Sequence, residues 1–211
     1  MGTLLDYAAG QIGAAWRLAL TANPDAAHAD IDGTTDGVFR SLWAVVFAAL
    51  PFVFIVLAMR RGVEAAGRVD DFPTYAGDAG TVLAVNGAVY LVSWIADILL
   101  ILGVYKSFRP GGALADTLVA YNWGQVAAHA IQAAPMLAFA FLGPVGGALW
   151  LPAAGFVMFF FFRLFRRTMA VPVGVAAMLI GLLLLSSALV QASAPALGAA
   201  LGPPSADAAS S

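Results

Sequence analysis

The chain has 211 residues, of which 62% are hydrophobic and only 10% are charged, and its formal net charge is −2 at pH 7. A soluble domain needs more charge to cover its surface, so this composition predicts an integral membrane protein. The acidic balance argues against a nucleic-acid partner. The lack of cysteine excludes disulfides, thiolate metal sites and cysteine nucleophiles.

Residues 1–40 are predicted to form an amphipathic surface helix followed by a polar linker. Within residues 3–21, one helical face carries Leu5, Ala8, Ile12, Ala15 and Trp16. Such a helix lies on the cytoplasmic leaflet, with the lipid bilayer as its partner, or packs against a helical bundle. The pattern leaves both alternatives open.

The linker is acidic and contains His28, Asp30, Asp32 and Asp36. An oxygen-rich cluster of this kind can hold Ca²⁺ or Mg²⁺, but these residues lack the regular ligand spacing and the closing Glu of an EF-hand loop. We therefore expect a solvated linker without a metal site, in which Asp36 caps the helix that leads into the first span.

Five segments are apolar enough to cross a bilayer, which takes about 20 mostly apolar residues. They cover residues 41–59, 81–105, 113–142, 148–165 and 171–191. Glycine and proline at 143–147 predict a tight turn. The sequence thus predicts an all-α fold, with a five-helix transmembrane bundle at 41–195 and a flexible C-terminal tail at 196–211.

Two of these spans carry polar side chains on one helical face. The second span has Asn86, Tyr90, Ser93 and Asp97, and the third has Asn122, Gln125, His129 and Gln132. The short connection between the spans makes them antiparallel neighbours. A turn centred near Arg109 would pair Asp97 with Asn122, Ser93 with Gln125, Tyr90 with His129, and Asn86 with Gln132.

The carboxyl group of Asp97 needs a partner, because a charged residue in a spanning helix costs about 2.5–3.5 kcal/mol on insertion scales. We expect it to face protein, with Asn122 and Gln125 as donors. One interpretation is interhelical adhesion, in which each hydrogen bond contributes roughly 0.6 kcal/mol. The other is a polar pathway for protons or solutes, with Asp97 and His129 as two stations.

Positive charge predicts the orientation. Seven Lys and Arg residues lie near span ends on the side of the N-terminus and three on the other side, which places the N-terminus in the cytoplasm and the C-terminus in the periplasm. Arg163, Arg166 and Arg167 at the end of the fourth span are predicted to anchor it, or to bind a lipid headgroup. Abundant Ala, Gly and Arg with a single Lys suggest a bacterial inner-membrane protein.

Four segments resemble the Yip-type family, five-helix membrane proteins named for their interaction with Rab GTPases. These are "WRLALTANPDAAHADI", "AALPF", the "LVAYNW…AAP" run from Leu118 to Pro135, and "FFRLFRRTM". The resemblance implies a polytopic scaffold with a cytoplasmic N-terminus. The eukaryotic trafficking role is not implied, because the acidic N-terminal domain of that family is missing here.

The chain offers little for catalysis. It has no Ser-His-Asp order, no HExxH motif and no Gly-rich phosphate loop, so we expect no catalytic residue and no cofactor. The leading hypothesis is a non-catalytic scaffold that binds a membrane-protein partner or a second copy of itself. The alternative is a small solute or proton conductor built on the two polar faces.

Overall fold

The computed structural model describes residues 3–22, 24–142 and 147–201, and over these ranges the chain is helical without strands. The helices are α1 Leu4–Leu20, α2 Pro24–Ala29, α3 Thr35–Ser41, α4 Ala44–Ala65, α5 Ala79–Phe108, α6 Leu114–Leu142, α7 Trp150–Thr168 and α8 Val173–Leu201. Two short 3-10 turns, Val69–Asp71 and Pro73–Tyr75, connect α4 to α5. Most of the predicted turn at 143–147 and the end of the predicted tail lie outside the described residues, while α8 continues past the predicted start of the tail.

Three helical segments are long and apolar enough to cross a membrane, namely Thr35–Ala65, Ala79–Phe108 and Val173–Ala196, with mean hydropathies of 2.7, 2.1 and 2.5. Each is longer than the roughly 20 residues that a bilayer requires. The described part of the chain is therefore all-helical, with three segments that are long and apolar enough to cross a membrane.

Helix α6 lies at the centre of the structure and packs against α1, α3, α4 and α7. It runs parallel to α4, because Phe47 of α4 contacts Trp123 and Phe52 contacts His129, at ring-centroid distances of 5.7 and 6.1 Å. Farther along the pair, a side chain at Gly62 would overlap the ring of Phe139. Glycine at this position permits the close approach of the two helices.

Helix α5 packs mainly against α8 and touches α6 only sparingly. Helices α5 and α6 are antiparallel. Tyr90 contacts His129, whereas Tyr105, near the end of α5, hydrogen-bonds to Thr117 near the start of α6. The sequence correctly gives their direction, but α5 and α6 do not form the tight interface that the paired polar faces predict. Their side chains reach towards each other across a gap.

The N-terminal helix α1 packs against α6 and α7, which is the second of the two predicted alternatives. It buries Ala8, Gln11, Ala14, Ala15, Leu18 and Ala19. Small side chains on this face allow α1 to lie close to its neighbours. In the predicted apolar face, Leu5 is instead 66% exposed and Trp16 is 39% exposed. The indole of Trp16 rests against the rings of Phe156 and Phe160 in α7.

Each of the linker residues His28, Asp30 and Asp32 forms an ion pair or a hydrogen bond with a different residue. Asp30 pairs with Arg17 at 2.8 Å, and His28 lies 2.9 Å from the carboxylate of Asp116 at the start of α6. Asp32 accepts a hydrogen bond from the Tyr7 hydroxyl at 3.0 Å. These contacts attach the linker to α1 and α6.

The cap of α3 differs from the prediction. Thr34 is the N-cap residue, and its hydroxyl accepts the Gly37 N–H at 2.9 Å, so the expected cap at Asp36 is wrong. Asp36 lies in the first turn and pairs loosely with Arg40 at 3.5 Å. The Thr34 hydroxyl also donates to Asp32 at 2.6 Å, and this hydrogen bond lowers the pKa of Asp32 below its ordinary value.

The turn between α5 and α6 makes a steric prediction. The Gly112 N–H donates to the Met169 carbonyl at the end of α7 at 3.1 Å, and a methyl group on Gly112 would overlap the Thr168 carbonyl oxygen. We expect Gly112→Ala to lower the free energy of unfolding in detergent by about 1–3 kcal/mol through overpacking.

Gly111→Ala is the matched control, because its nearest neighbour would be the Ala170 Cβ at 3.8 Å, an ordinary van der Waals contact. Equal stability of the two variants would show that the turn does not lie against α7.

Candidate functional site

A cavity of about 710 Å³ lies between helices α4, α5, α6, α7 and α8. Its polar lining comprises Tyr75, Asn86, Tyr90, Ser93, Asp97, Tyr121, Gln125, His129, Gln132, Ser187 and Gln191. Its apolar lining includes Phe52, Trp94, Trp150, Leu151, Phe161 and Leu184. The lining therefore combines groups that can form hydrogen bonds with aliphatic and aromatic surface.

Seven of the eight residues predicted on the two polar faces line this cavity, and the exception is Asn122. The cavity forms because the polar faces of α5 and α6 point into the same space while their backbones stay apart. The helical spacing seen in the sequence thus identified most of the polar residues of α5 and α6 that line the cavity, but not the cavity itself.

Asp97 is bound by a residue that the sequence analysis missed. The Tyr121 hydroxyl donates to Asp97 Oδ2 at 2.6 Å, and the Gln125 side-chain amide donates in turn to the Tyr121 oxygen. Tyr121 is only 1% exposed, so packing holds this hydroxyl in place. It lies four residues before Gln125 and eight before His129, a spacing that could have placed it on the same face.

The predicted pairing of Asp97 with Asn122 is wrong. The buried Asn122 side chain accepts the indole N–H of Trp94 at 3.2 Å and donates to the Ser41 hydroxyl at 2.8 Å. It therefore joins α5, α6 and the end of α3, away from the carboxyl group. This residue acts as an interhelical connection, which is one of the two predicted uses of the polar faces.

Tyr90 and His129 do meet, with ring centroids 5.3 Å apart and nearly perpendicular planes, while Phe52 stacks on Tyr90 at 4.7 Å. His129 Nδ1 lies 2.8 Å from the Gln125 carbonyl oxygen. A carbonyl oxygen only accepts, so Nδ1 carries the hydrogen. The sequence suggested a hydrogen bond between the Tyr90 hydroxyl and His129, but the structure does not contain it.

The contacts of Asn86 also differ from the predicted pairing. Asn86 donates to the carbonyl oxygens of Thr74 and Val82, both at 2.9 Å, rather than to Gln132. It thereby ties the 3-10 turn before α5 to the body of that helix. Gln132 and Ser93 lie in the cavity lining.

Two buried polar atoms in the cavity residues have no hydrogen-bond partner in the described part of the chain. They are Asp97 Oδ1 and the Tyr90 hydroxyl oxygen. Buried polar groups in proteins are normally satisfied, and the exceptions often mark a place for water or a ligand. Asp97 and Tyr90, which both line the cavity, therefore each keep one buried polar atom that the described residues do not satisfy.

The three arginines at the end of α7 separate into two groups. Arg167 donates to the carbonyl oxygens of Leu18 and Thr21, the latter at 2.9 Å, and Arg163 reaches the same Thr21 oxygen at 3.4 Å. Carbonyl groups at a helix end lack intrahelical partners and attract cations. These two arginines therefore attach α1 to α7. Arg166 is exposed, and its binding of a lipid headgroup stays a prediction.

No family model, curated protein or solved structure matches this chain. The resemblance to the Yip-type family accordingly stays a prediction, and the argument for function depends on the cavity itself.

The hydrogen bond between Tyr121 and Asp97 can be tested by a double-mutant cycle. Tyr121→Phe removes the donor and leaves a buried carboxyl group unpaired, so we expect it to lower the free energy of unfolding by about 1–3 kcal/mol. Asp97→Asn in the Tyr121→Phe background should then cost less than the same change in the wild type. A coupling of at least about 0.5 kcal/mol is expected, and strict additivity would show that the two groups do not interact.

Neighbouring arginines provide a second test. Arg167→Ala should free the C-terminal end of α1 and speed trypsin cleavage after Arg17, with a loss of stability of about 1.5–3 kcal/mol for hydrogen bonds from a charged group. Arg166→Ala changes an exposed neighbour of the same type and should leave both quantities unchanged. The opposite ranking would contradict the attachment of α1 by Arg167.

Proposed function

We propose that the chain is a multi-pass membrane protein that binds a small molecule in its central cavity. The observation that carries this proposal is a cavity of about 710 Å³ with a mixed polar and apolar lining, in which Asp97 Oδ1 and the Tyr90 hydroxyl have no partner among the described residues. Ligand pockets typically measure about 300–1,000 Å³ and combine apolar walls with a few convergent polar groups. This proposal keeps one part of the alternative predicted from the sequence, a small solute conductor, namely the binding of the solute.

The proposed placement has five spans, with α6 and α7 crossing beside the three most apolar segments. Helix direction supports this, since α4 and α6 are parallel and α5 runs against them. The helices α1–α3 then lie at the end of the bundle where α6 begins and α7 ends.

The excess of Lys and Arg at that end supports a cytoplasmic N-terminus. This excess comprises Arg17, Arg40, Lys106, Arg109, Arg163, Arg166 and Arg167, against Arg60, Arg61 and Arg68 at the other end. The composition, rich in Ala, Gly and Arg, supports a bacterial inner membrane, which would place the C-terminus in the periplasm.

Proton conduction is a variant of the same proposal. Hydrogen bonds run from Asp97 through Tyr121 to the Gln125 side chain, and the Gln125 carbonyl bonds to His129. Intramembrane ionisable groups often mark proton routes. The two contacts of Gln125 are made by separate groups, its side-chain amide and its backbone carbonyl, so a proton route along α6 would need water in the cavity to connect them.

A scaffold that binds another membrane protein or a second copy is the second candidate. Large apolar side chains are exposed on α1 and α3, including Leu5 at 66% and Phe39 at 65%. Because α1 is packed into the core, removing it would uncover the buried faces of α6 and α7. Such a deletion could not separate a scaffold from a binding protein, but filling the cavity can.

The test fills the cavity without disturbing the backbone. A Cβ on Gly155, which lines the cavity, would meet nothing within 4 Å, so Gly155→Phe can project into it. Gly181→Phe is the matched control, because Gly181 is equally open and lies outside the cavity lining. The probes are tritiated 4-phenylbutanol, 4-phenylbutyrate and 4-phenylbutylamine, which share one body and differ in the head group.

Saturable binding of at least one probe to purified wild-type protein and to Gly181→Phe is expected, with loss of that binding in Gly155→Phe, in a scintillation proximity assay. Absence of saturable binding for all three probes, or equal binding by Gly155→Phe, would contradict a ligand-binding cavity and favour the scaffold.

A further inference from the structure

The residues that line the cavity indicate which chemical class of ligand it binds. This inference rests on the proposed function. We propose that the cavity selects a hydrophobic monocation, an alkylammonium or arylalkylammonium ion, over neutral and anionic molecules of the same shape. Asp97 provides the head-group site, and the aromatic and aliphatic side chains hold the apolar body.

The charge of the lining supports a cation. Asp97 is the single carboxyl group in the cavity wall, and neither Lys nor Arg contributes to the described lining. The other titratable groups that face the cavity are His129 and the hydroxyls of Tyr75, Tyr90 and Tyr121. An anion entering this space would lose its hydration without gaining a counter-charge, whereas an ammonium group can pair with the carboxylate.

The hydrogen bonds of Asp97 leave one carboxyl oxygen available to a further donor, and because that oxygen is buried, the side chains around it have to shift to admit the donor. Its Oδ2 accepts from Tyr121, and its Oδ1 is buried without a partner among the described residues. A carboxylate oxygen accepts hydrogen bonds and cannot donate them, so the molecule that completes it must carry an N–H or O–H group. Charge-assisted hydrogen bonds are roughly twice as strong as neutral ones, which favours an ammonium over an alcohol.

The aromatic lining supports both the charge and the apolar body. The rings of Phe52, Tyr90, Trp94, Tyr121, Trp150 and Phe161 line the cavity together. Trp and Tyr faces attract cations within about 6 Å of the ring centroid. Beyond them, Leu151, Leu183 and Leu184 supply aliphatic surface for the rest of the ligand.

The three phenylbutyl probes test the inference in the wild-type protein alone. At pH 7 the amine is a cation, the alcohol is neutral and the acid is an anion, while the body that fills the apolar part stays constant. We expect the amine to bind about tenfold or more tightly than either of the others, the ratio for one hydrogen bond from a charged donor. Equal affinity for the amine and the alcohol would overturn the inference.

Asp97→Asn assigns the selectivity to one residue. This variant keeps the shape of the side chain and a group that can accept from Tyr121, but it removes the charge. We expect it to weaken amine binding about tenfold, to the level of the alcohol, with alcohol binding unchanged. Asp116→Asn is the control, because Asp116 pairs with His28 outside the cavity, and it should keep the wild-type preference.

The outcomes separate this inference from the proposed function. If probes bind and Gly155→Phe abolishes their binding, but Asp97→Asn keeps its preference for the amine, the cavity binds ligands and the assignment to Asp97 is wrong. If none of the three probes binds, the proposed function fails, and the inference fails with it.

Discussion

The hydrocarbon of a bilayer cannot hydrogen-bond, so each polar side chain on α5 and α6 has to find its partner inside the protein. Asp97 meets this requirement through Tyr121, whose hydroxyl is held by tight packing and supported by Gln125. That contact turns the polar faces of two helices towards the same space. The placement of the Asp97 carboxyl group in the cavity lining depends on it.

The polar residues serve two purposes that the structure separates. Both polar atoms of the Asn122 side chain are hydrogen-bonded, to Trp94 and to Ser41, and the residue joins three helices. Asp97 and Tyr90 each keep one buried atom that has no partner among the residues that the structure describes. The difference arises because α5 packs mainly against α8 and not against α6, which leaves a gap between the two polar faces. Asn122 therefore connects helices, whereas Asp97 and Tyr90 of α5 supply the groups on which the proposed ligand site depends.

Composition and helical spacing were sufficient to predict a helical membrane protein and the two polar faces, because both are properties of single segments. The partner of Asp97 could not be predicted, since Tyr121 and Asn122 are adjacent and both contact α5, and only the packing of α6 decides which one reaches the carboxyl group. Arg166 and Arg167 pose the same difficulty, because only the packing of α1 shows which of them reaches its carbonyl groups. The gap itself depends on the packing of α5 against α8, whose cavity-lining Ser187 and Gln191 were not among the predicted polar residues.

The most direct test of this account compares two adjacent positions on α5 by electron paramagnetic resonance. The chain has no cysteine, so Ser93→Cys and Val92→Cys can each carry a single spin label in a lipid bilayer. Ser93 lines the cavity, whereas Val92 is 44% exposed on the outer surface. The account predicts fewer collisions with lipid-dissolved oxygen at residue 93 than at residue 92. More collisions at residue 93 would place the polar face of α5 against lipid and contradict the account.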